Sequence, residues 1–524
     1  MWFDPQHNVV VYNAPDPLAL AAVFPDARQL TNGYVALPAS LRNLDLVGQM
    51  GLPVPRIMDT TYDWPIHPRN KPLPHQRTMS NFMATHPRCW NLSDMGTMKT
   101  LSALWAADYV MRQHPKGTCR CLIVAPLSTL QRTWADAIFE NFLGKRRCVV
   151  LHGTAAQREK MLKTDVDFYI INHDGVGVGV SENPHNPMRG FAKALSERSD
   201  IQIVIADEAS AYNDAGTKRH KIARVLLARR PYLWLMTGTP TPNAPTDAYG
   251  MGKLMHNARG ETYRSFQQRT MTQLSQFKWV PRKGCEEDVK KMLAPAIRFR
   301  IEDCIDLPPC TTQFRDAVLS PEQNKAYRAM KDECRITIGQ GNITAMNEAV
   351  MRLKLIQIAC GAVYDGERVV HTLPTQDRIR VLHEAISQCS EKIIVFAPLT
   401  SVLSLLSKEL SKHWSVAVVN GQVSYKERSQ IFQDFQNAKD PRIIVADPRA
   451  MSHGLTLVAA TMIIWYAPID SNETYRQANK RIDRPGQTKT TTIVQIASTA
   501  VEREIYRRLD ANESLQGSIL KLME

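Results

Sequence analysis

No apolar run in the sequence is long enough to span a membrane, and the first residues, MWFDPQHN, lack the basic and apolar regions of a signal peptide. The ten cysteines include no CxxC pair, and Cys119 and Cys121 are too close together for a usual zinc knuckle. These absences argue against a membrane protein, a secreted disulfide-rich protein and a zinc module. We expect reduced thiols and a protein that stays inside the cell that makes it.

The net charge and the length of the chain indicate the kind of partner and the number of domains. The 524 residues carry 65 Lys and Arg against 51 Asp and Glu, a net charge of +14, which favours a polyanionic partner. The hydrophobic content of 44% is typical of a soluble globular protein, and the length suffices for several domains. Residues 1–65 are predicted to be a small β-containing module with a helix near Leu41–Met50, which caps the next domain.

The stretch NLSDMGTMKT, residues 91–100, is typical of a phosphate-binding loop. A glycine-containing turn leads to Lys99 and Thr100 and then to an amphipathic helix with apolar residues at Leu101, Leu104, Trp105 and Tyr109. Backbone N–H groups would face the anion, Lys99 would reach the β- and γ-phosphates, and Thr100 would ligate Mg²⁺. Met98 stands where the usual pattern has glycine, and its Cβ disfavours a positive φ. An ordinary strand-to-helix turn is the alternative.

Two further signals lie on either side of this loop. Gln76 precedes it by about twenty residues, and its amide can donate and accept hydrogen bonds at the edge of an adenine base. Most Gln side chains, however, are simply solvated. Ser128 and Thr129 follow a buried strand at Leu122–Ala125 and are predicted to open a helix. Their hydroxyl and N–H groups would hold phosphates of a nucleic-acid strand, or they are plain helix caps.

An acidic pair follows the most apolar strand. Ile201–Ala206 is continuously apolar, as expected of a central parallel strand, and it ends in Asp207 and Glu208. Acidic residues at this edge of a sheet lie beside a phosphate loop of the same sheet. Asp207 would hold Mg²⁺, and Glu208 would orient and deprotonate the attacking water. A helix cap is the alternative for this pair.

The second half repeats the strand–helix alternation after a different region. Residues 256–370 are predicted to be a helical insertion and linker, including an amphipathic helix at Asn342–Ala359 with apolar residues at Ile343, Met346, Val350 and Leu353. Strands are then predicted at Lys392–Ala397, Arg442–Ala446, Thr461–Tyr466 and Thr490–Ile496. The fold class is α/β, with lobe 1 at residues 66–255 and lobe 2 at residues 371–524.

An arginine pair lies near the end of lobe 2. The segment QANKRIDRPGQ, residues 477–487, is predicted to be helical, which places Arg481 and Arg484 on one face. Two guanidinium groups facing a cleft neutralise the charge that develops in γ-phosphoryl transfer. The alternative is a salt-bridged surface face.

These blocks, in this order, resemble the Swi/Snf family of superfamily 2 helicase-like ATPases over residues 70 to 510. DMGTMKT resembles its motif I, VAPLSTLQRTW its motif Ia, DEAS its motif II and LMTGTPTPN its motif III. The block from SHGLTLVAA to RIDRPGQTKTT resembles motifs V and VI, whose RxxRxGQ ending is highly specific.

The resemblance implies two RecA-like lobes with ATP and Mg²⁺ between them and double-stranded or forked DNA as the partner. ATP would be held by lobe 1 through Gln76, Asp94, Gly96, Thr97, Lys99, Thr100, Asp207 and Glu208. Lobe 2 would contribute Gly454, Arg481 and Arg484. Lobe closure would then move the protein along the duplex. The compact chain looks like phage or bacterial members of the family, which implies a bacterial cytoplasm or that of a phage's host.

Three residues depart from the family pattern. They are Met98 in motif I, Ser210 after the DEA triplet and Asp483 between the paired arginines. Met98 would affect the rate of ATP hydrolysis, and Ser210 and Asp483 would affect how hydrolysis is coupled to DNA. A translocase or remodelling ATPase is the main hypothesis. A strand-separating helicase and a nucleotide-gated DNA-binding scaffold with weak ATPase activity are the alternatives.

Overall fold

A computed structural model describes residues 1–14, 16–31, 33–65, 71–180, 188–256, 260–275, 278–339, 345–364, 369–451 and 456–521. The chain forms two compact units, residues 1–304 and residues 305–515. Each contains a large sheet whose paired strands are parallel, with helices between successive strands. The predicted α/β class with two parallel-sheet lobes is confirmed. None of the helices in the described ranges is long and apolar enough to cross a membrane.

The N-terminal module is a four-stranded antiparallel sheet in the order β1-β2-β4-β3. Its elements are β1 (Trp2–Asp4), β2 (Val9–Asn13), α1 (Pro17–Val23), β3 (Arg28–Gln29), β4 (Tyr34–Pro38), α2 (Leu41–Gln49) and α3 (Met58–Thr61). Its core residues belong to the same buried cluster as Trp105 of the following lobe. The Tyr62 hydroxyl donates a hydrogen bond of 2.7 Å to Asp108, so the module and the lobe are packed as one body.

The first large sheet has the order β13-β5-β10-β9-β6-β8-β7. In chain order the strands are β5 (Arg88–Asn91), β6 (Arg120–Ala125), β7 (Cys148–Val150), β8 (Phe168–Asn172), β9 (Ile201–Asp207), β10 (Tyr232–Met236), the separate pair β11 (Met271–Ser275) and β12 (Lys278–Pro281), and β13 (Ala296–Ile297). The helices are α4 (Pro74–Thr85), α5 (Lys99–Arg112), α6 (Asp136–Phe142), α7 (Ala155–Leu162), α8 (Gly190–Glu197), α9 (Lys218–Leu226), α10 (Asp247–His256), α11 (Tyr263–Thr270), α12 (Cys285–Met292) and α13 (Ile301–Cys304).

Helix α5 differs from its prediction as an amphipathic helix. Every residue from Leu101 to Met111 is buried, including Ser102 and Asp108. The helix packs between the sheet, helix α4 and the N-terminal module, so it has no solvent face over this length. Buried Asp108 is paired with Arg112 and Arg146 at 2.8 and 2.7 Å, which offsets the cost of burying its charge.

The second large sheet has the order β14-β21-β20-β17-β19-β18. Its strands, with the separate pair β15 and β16, are β14 (Cys310–Asp316), β15 (Ala362–Tyr364), β16 (Val370–Thr372), β17 (Lys392–Phe396), β18 (Val416–Val419), β19 (Ile443–Ala446), β20 (Ala460–Trp465) and β21 (Thr491–Ala497). The helices are α14 (Pro321–Gly339), α15 (Ala345–Cys360), α16 (Gln376–Ser387), α17 (Thr400–Leu410), α18 (Tyr425–Asn437), α19 (Asn472–Asn479) and α20 (Ala500–Lys521).

Residues 256–370 differ from the predicted helical insertion. This region supplies β13 to the first sheet and β14 to the second. The helix predicted at Asn342–Ala359 is found as α15, and residues 342–344 of the prediction lie outside the described ranges. Its predicted apolar face is wrong at Val350 and Leu353, which are 53% and 45% exposed, because the buried side chains are those near the helix end, from Leu355 to Cys360.

Candidate functional site

The phosphate loop and the acidic pair lie at one edge of the first sheet. β10 pairs in parallel with both β5 and β9, so the carboxyl ends of these three strands are neighbours. The loop of residues 92–98 follows β5, and Asp207 and Glu208 end β9. This is the edge at which ligands bind in open parallel sheets.

The backbone of the loop is shaped for an anion. Gly96 and Met98 have positive φ angles of 91° and 58°, and Lys99 then begins the 14-residue helix α5. No side chain caps the N-terminus of this helix, and its first turn contains no acidic residue. Its first N–H groups and its positive dipole end therefore suit a phosphate, as the sequence indicates.

Lys99 is held by the loop itself. Its Nζ donates to the carbonyl oxygens of Ser93 and Asp94 at 2.5 and 3.0 Å. The Thr97 hydroxyl donates to the same Asp94 carbonyl at 2.8 Å, and Thr97 is fully buried. Ammonium and hydroxyl groups thus stabilise the loop, and a phosphate would compete with the two carbonyls for Lys99.

Helix α4 supports the loop from one side. Gln76 is 1% exposed, its Oε1 accepts from the Leu73 N–H at 3.0 Å, and its Nε2 donates to the Met98 carbonyl at 3.4 Å. The adjacent His75, which the sequence reasoning missed, donates from Nε2 to the Thr97 carbonyl at 3.2 Å. Burial lowers the pKa of His75. A role for Gln76 in reading adenine stays a prediction, and its contacts here position the phosphate loop.

The acidic pair is linked to the loop electrostatically. Asp207 accepts hydrogen bonds from the Trp134 indole at 3.3 Å and from the Glu208 backbone N–H at 3.1 Å. Burial raises the pKa of Asp207, while the charge of Lys99 and the Trp134 hydrogen bond act in the opposite direction. Glu208 has a positive φ of 49°, uncommon for a non-glycine residue and frequent at functional sites. A divalent cation would favour the ionised carboxylate that Mg²⁺ needs.

The turn after β10 packs against the phosphate loop. A Cβ added to Gly238 would lie 3.4 Å from the backbone nitrogen of Met95. The Thr237 hydroxyl accepts from the Thr239 N–H at 3.0 Å, which fixes the turn. The close approach of Gly238 to Met95 thus puts the turn after β10 in contact with the phosphate loop.

The nucleic-acid prediction at Ser128 and Thr129 is only partly compatible with the structure. These residues lie in a 3₁₀ turn, Leu127–Thr129, and a π-helical turn at Leu130–Ala135 precedes α6, so they do not open an α-helix directly. Thr129 is 5% exposed, and its hydroxyl donates to the Pro126 carbonyl at 2.8 Å. Ser128 is exposed and stays a predicted phosphate contact.

In the second unit, the helix predicted over residues 477–487 is found only at residues 477–479 and is wrong beyond them. Helix α19 ends at Asn479, and Arg481 and Arg484 lie in the turn that follows. In this turn Ile482 is buried in the core, and Gly486 has a φ of 99°, outside the range of a right-handed helix. Arg481 is 1% exposed and Arg484 is half-buried, with its Nε donating to the Lys480 carbonyl at 2.8 Å. Gly454 lies outside the described residues.

The other two departures from the family pattern are both buried. Ser210 follows the acidic pair and is 5% exposed. Asp483 is 7% exposed and forms an ion pair with Lys480. That pair orients the turn between the two arginines and satisfies the buried carboxylate.

We expect Met98→Gly to raise kcat/KM for ATP about fivefold, or about 1 kcal/mol, because a Cβ at residue 98 restricts the close approach of a phosphate to the loop backbone. Glycine adopts the φ of 58° at this position without strain, whereas a residue with a Cβ pays about 1–2 kcal/mol for a left-handed backbone. The free energy of unfolding should change by less than about 1 kcal/mol, since the added chain entropy of glycine offsets the relief. Met98→Ala, which keeps the Cβ, is the matched control in steady-state ATPase assays. A lower kcat/KM for the glycine variant would contradict this account.

Comparisons with known proteins show the family to which the chain belongs. The SNF2-related domain family matches residues 75–362, and the helicase conserved C-terminal domain family matches residues 377–486. Protein p41 of Acyrthosiphon pisum secondary endosymbiont phage 1 is 23% identical over 86% of this chain and 98% of its own length. The SWI/SNF-related matrix-associated actin-dependent regulator of chromatin subfamily A-like protein 1 of Xenopus tropicalis is 24% identical over 80% of this chain.

This chain spans 42% of the length of that Xenopus protein and 67% of the RAD54-like DNA repair and recombination protein of Danio rerio, which is 20% identical. Among solved structures, the Sulfolobus solfataricus SWI2/SNF2 ATPase core in complex with dsDNA is 21% identical, with a TM-score of 0.40 over 87% of this chain and 94% of that one. Because the first family match covers more than half of the sequence, the chain belongs to the SNF2-related family.

Proposed function

We propose that this chain is a DNA-dependent ATPase that moves along or remodels duplex DNA. One observation carries the proposal: Lys99 at an uncapped helix N-terminus and the acids Asp207 and Glu208 share one sheet edge. A lysine, a hydroxyl and two carboxylates in this arrangement suit a nucleoside triphosphate with a divalent cation.

Within the first unit, each side chain has a distinct task. Lys99 leaves the Ser93 and Asp94 carbonyls to pair with the β- and γ-phosphates. Thr100 and Asp207 would hold Mg²⁺, which would neutralise charge on the phosphates. Glu208 orients the attacking water and takes its proton.

We assign charge neutralisation in the transition state to the arginines of the second unit. Arg484 is half-buried and offers its planar guanidinium at the end of a short turn, whereas Arg481 is 1% exposed. The assignment rests on the family match over residues 377–486 and on the fitness of guanidinium for phosphoryl transfer. It makes hydrolysis depend on both units.

The DNA partner is inferred from family and charge. Residues 1–65 contain six acidic and three basic residues, so the positive surplus of the chain lies entirely beyond the N-terminal module. A positive surplus favours binding to the phosphate backbone independently of base sequence, with an affinity that falls as salt rises. The N-terminal module, by contrast, contributes packing against helices α4 and α5.

An ATPase assay across polynucleotides tests this proposal. We expect duplex or forked DNA to stimulate hydrolysis at least about tenfold, with much less effect from RNA, and Lys99→Ala to abolish the stimulated rate. Displacement of a third strand from a triplex, without unwinding of a forked duplex, would identify translocation. Unwinding of the fork would favour a strand-separating helicase. Hydrolysis that no polynucleotide stimulates above the Lys99→Ala rate would refute the ATPase proposal.

A further inference from the structure

The phosphate loop is bordered by a segment that the sequence reasoning left in the linker. Residues 295–301, here called the loop strap, run parallel to β5 and continue beside the loop. The N–H groups of Trp90, Leu92 and Asp94 donate to carbonyls of the strap at 2.9 to 3.0 Å. The strap therefore extends the sheet edge up to the first residues of the phosphate loop.

Side chains complete this contact at Ser93 and Asp94. The Phe299 N–H donates to the Ser93 hydroxyl at 3.1 Å, and the Ile301 N–H donates to the Asp94 carboxylate at 3.4 Å. Arg298 reaches the other Asp94 oxygen with Nη2 at 3.4 Å, and its side chain is only 6% exposed. The carbonyls of the same Ser93 and Asp94 hold Lys99.

Asp94 poses a physical problem for a loop that binds phosphates. Its carboxylate repels the incoming anion and attracts the Lys99 ammonium, and both effects oppose nucleotide binding. A cation that is buried beside it removes most of this cost. The Arg298 guanidinium occupies that position, and because it is nearly buried, water screens the pair only weakly.

We propose that Arg298 is a positioning residue that neutralises Asp94 and so allows Lys99 to transfer from the loop carbonyls to nucleotide phosphates. This inference rests on the proposed function, because it assumes that the loop binds ATP. It predicts that the charge of Asp94, and not the loss of a packing contact, is what harms binding when Arg298 is removed.

The test is the dissociation constant for ATP carrying a fluorescent methylanthraniloyl group, with Mg²⁺, in the full chain. We expect Arg298→Gln to weaken binding about tenfold with kcat at saturating ATP changed less than about twofold. Adding Asp94→Asn to Arg298→Gln should restore most of the affinity, and Arg298→Lys should keep it. Arg282→Gln removes an exposed cation of the same unit and is the matched control.

Arg298→Met, whose apolar chain occupies similar space, gives the same test if the glutamine variant fails to fold. Wild-type affinity in Arg298→Gln, or a double variant that binds as weakly as Arg298→Gln, would overturn the inference and leave the proposed function standing. A wild-type chain that binds no nucleotide would overturn both. The unfolding temperatures of the same variants distinguish a loss of affinity from a loss of folding.

Discussion

Replacing Glu208 with glutamine is expected to lower DNA-stimulated ATP hydrolysis at least about a hundredfold, because a general base contributes about 10²–10⁴ to such a rate. Glutamine keeps the shape of the side chain but cannot accept the proton of the attacking water. The backbone at this residue should be preserved, since the Glu208 N–H donates to Asp207 and its carbonyl accepts from the Ala211 N–H. ATP binding should therefore stay within about twofold of wild type.

Steady-state hydrolysis and nucleotide binding, measured on the same preparation, test this expectation. Glu197→Gln removes an exposed carboxylate of the same unit and is the matched control. Equal losses of binding and hydrolysis in Glu208→Gln would show that the residue shapes the site instead of serving as the base. If Glu208→Gln kept DNA-stimulated turnover near the wild-type rate, another group would have to be the general base.

The sequence predicts most strands because buried parallel strands are continuously apolar. The strand predicted at Lys392–Ala397 is found at Lys392–Phe396, and the strand at Ile201 extends only one residue further than predicted. β14 was missed because its sequence, CTTQFRD, is mostly polar and its residues are largely exposed. An edge strand of this type needs its neighbour β21 to form, and no local pattern reports that neighbour.

The same holds for the site: residues with a local sequence pattern were predicted, and contacts between residues distant in the chain were not. Lys99, Asp207 and Glu208 were predicted because each stands directly after an apolar strand or before a helix. Arg298 and Asp94 are separated by 204 positions in the chain, so their contact exists only after folding. Trp134, in a π-helical turn, donates to Asp207, and His75, in the first turn of α4, donates to the Thr97 carbonyl. No local sequence pattern predicts either contact.

Arg484→Ala is expected to reduce ATP turnover about a thousandfold, at the lower end of the range for an arginine that stabilises phosphoryl transfer. This loss corresponds to about 4 kcal/mol of transition-state stabilisation. Arg484 is a better target than Arg481, whose side chain is 1% exposed, so that its replacement would leave a gap in the packed interior and also disturb folding. ATP affinity should change little, because Lys99 and the uncapped helix supply the ground-state contacts.

Two comparison variants make this prediction specific. Arg484→Lys keeps the positive charge but loses the planar fork, and we expect it to recover less than about a tenth of the wild-type rate. Arg507→Ala removes an exposed cation, 74% accessible and paired with Glu504, and should leave turnover within about twofold of wild type. A loss of ATP affinity in Arg484→Ala with normal turnover at saturation would mean that this arginine binds the ground state. Hydrolysis would then be completed by the first unit alone, and the second unit would have to act through DNA instead of through the nucleotide.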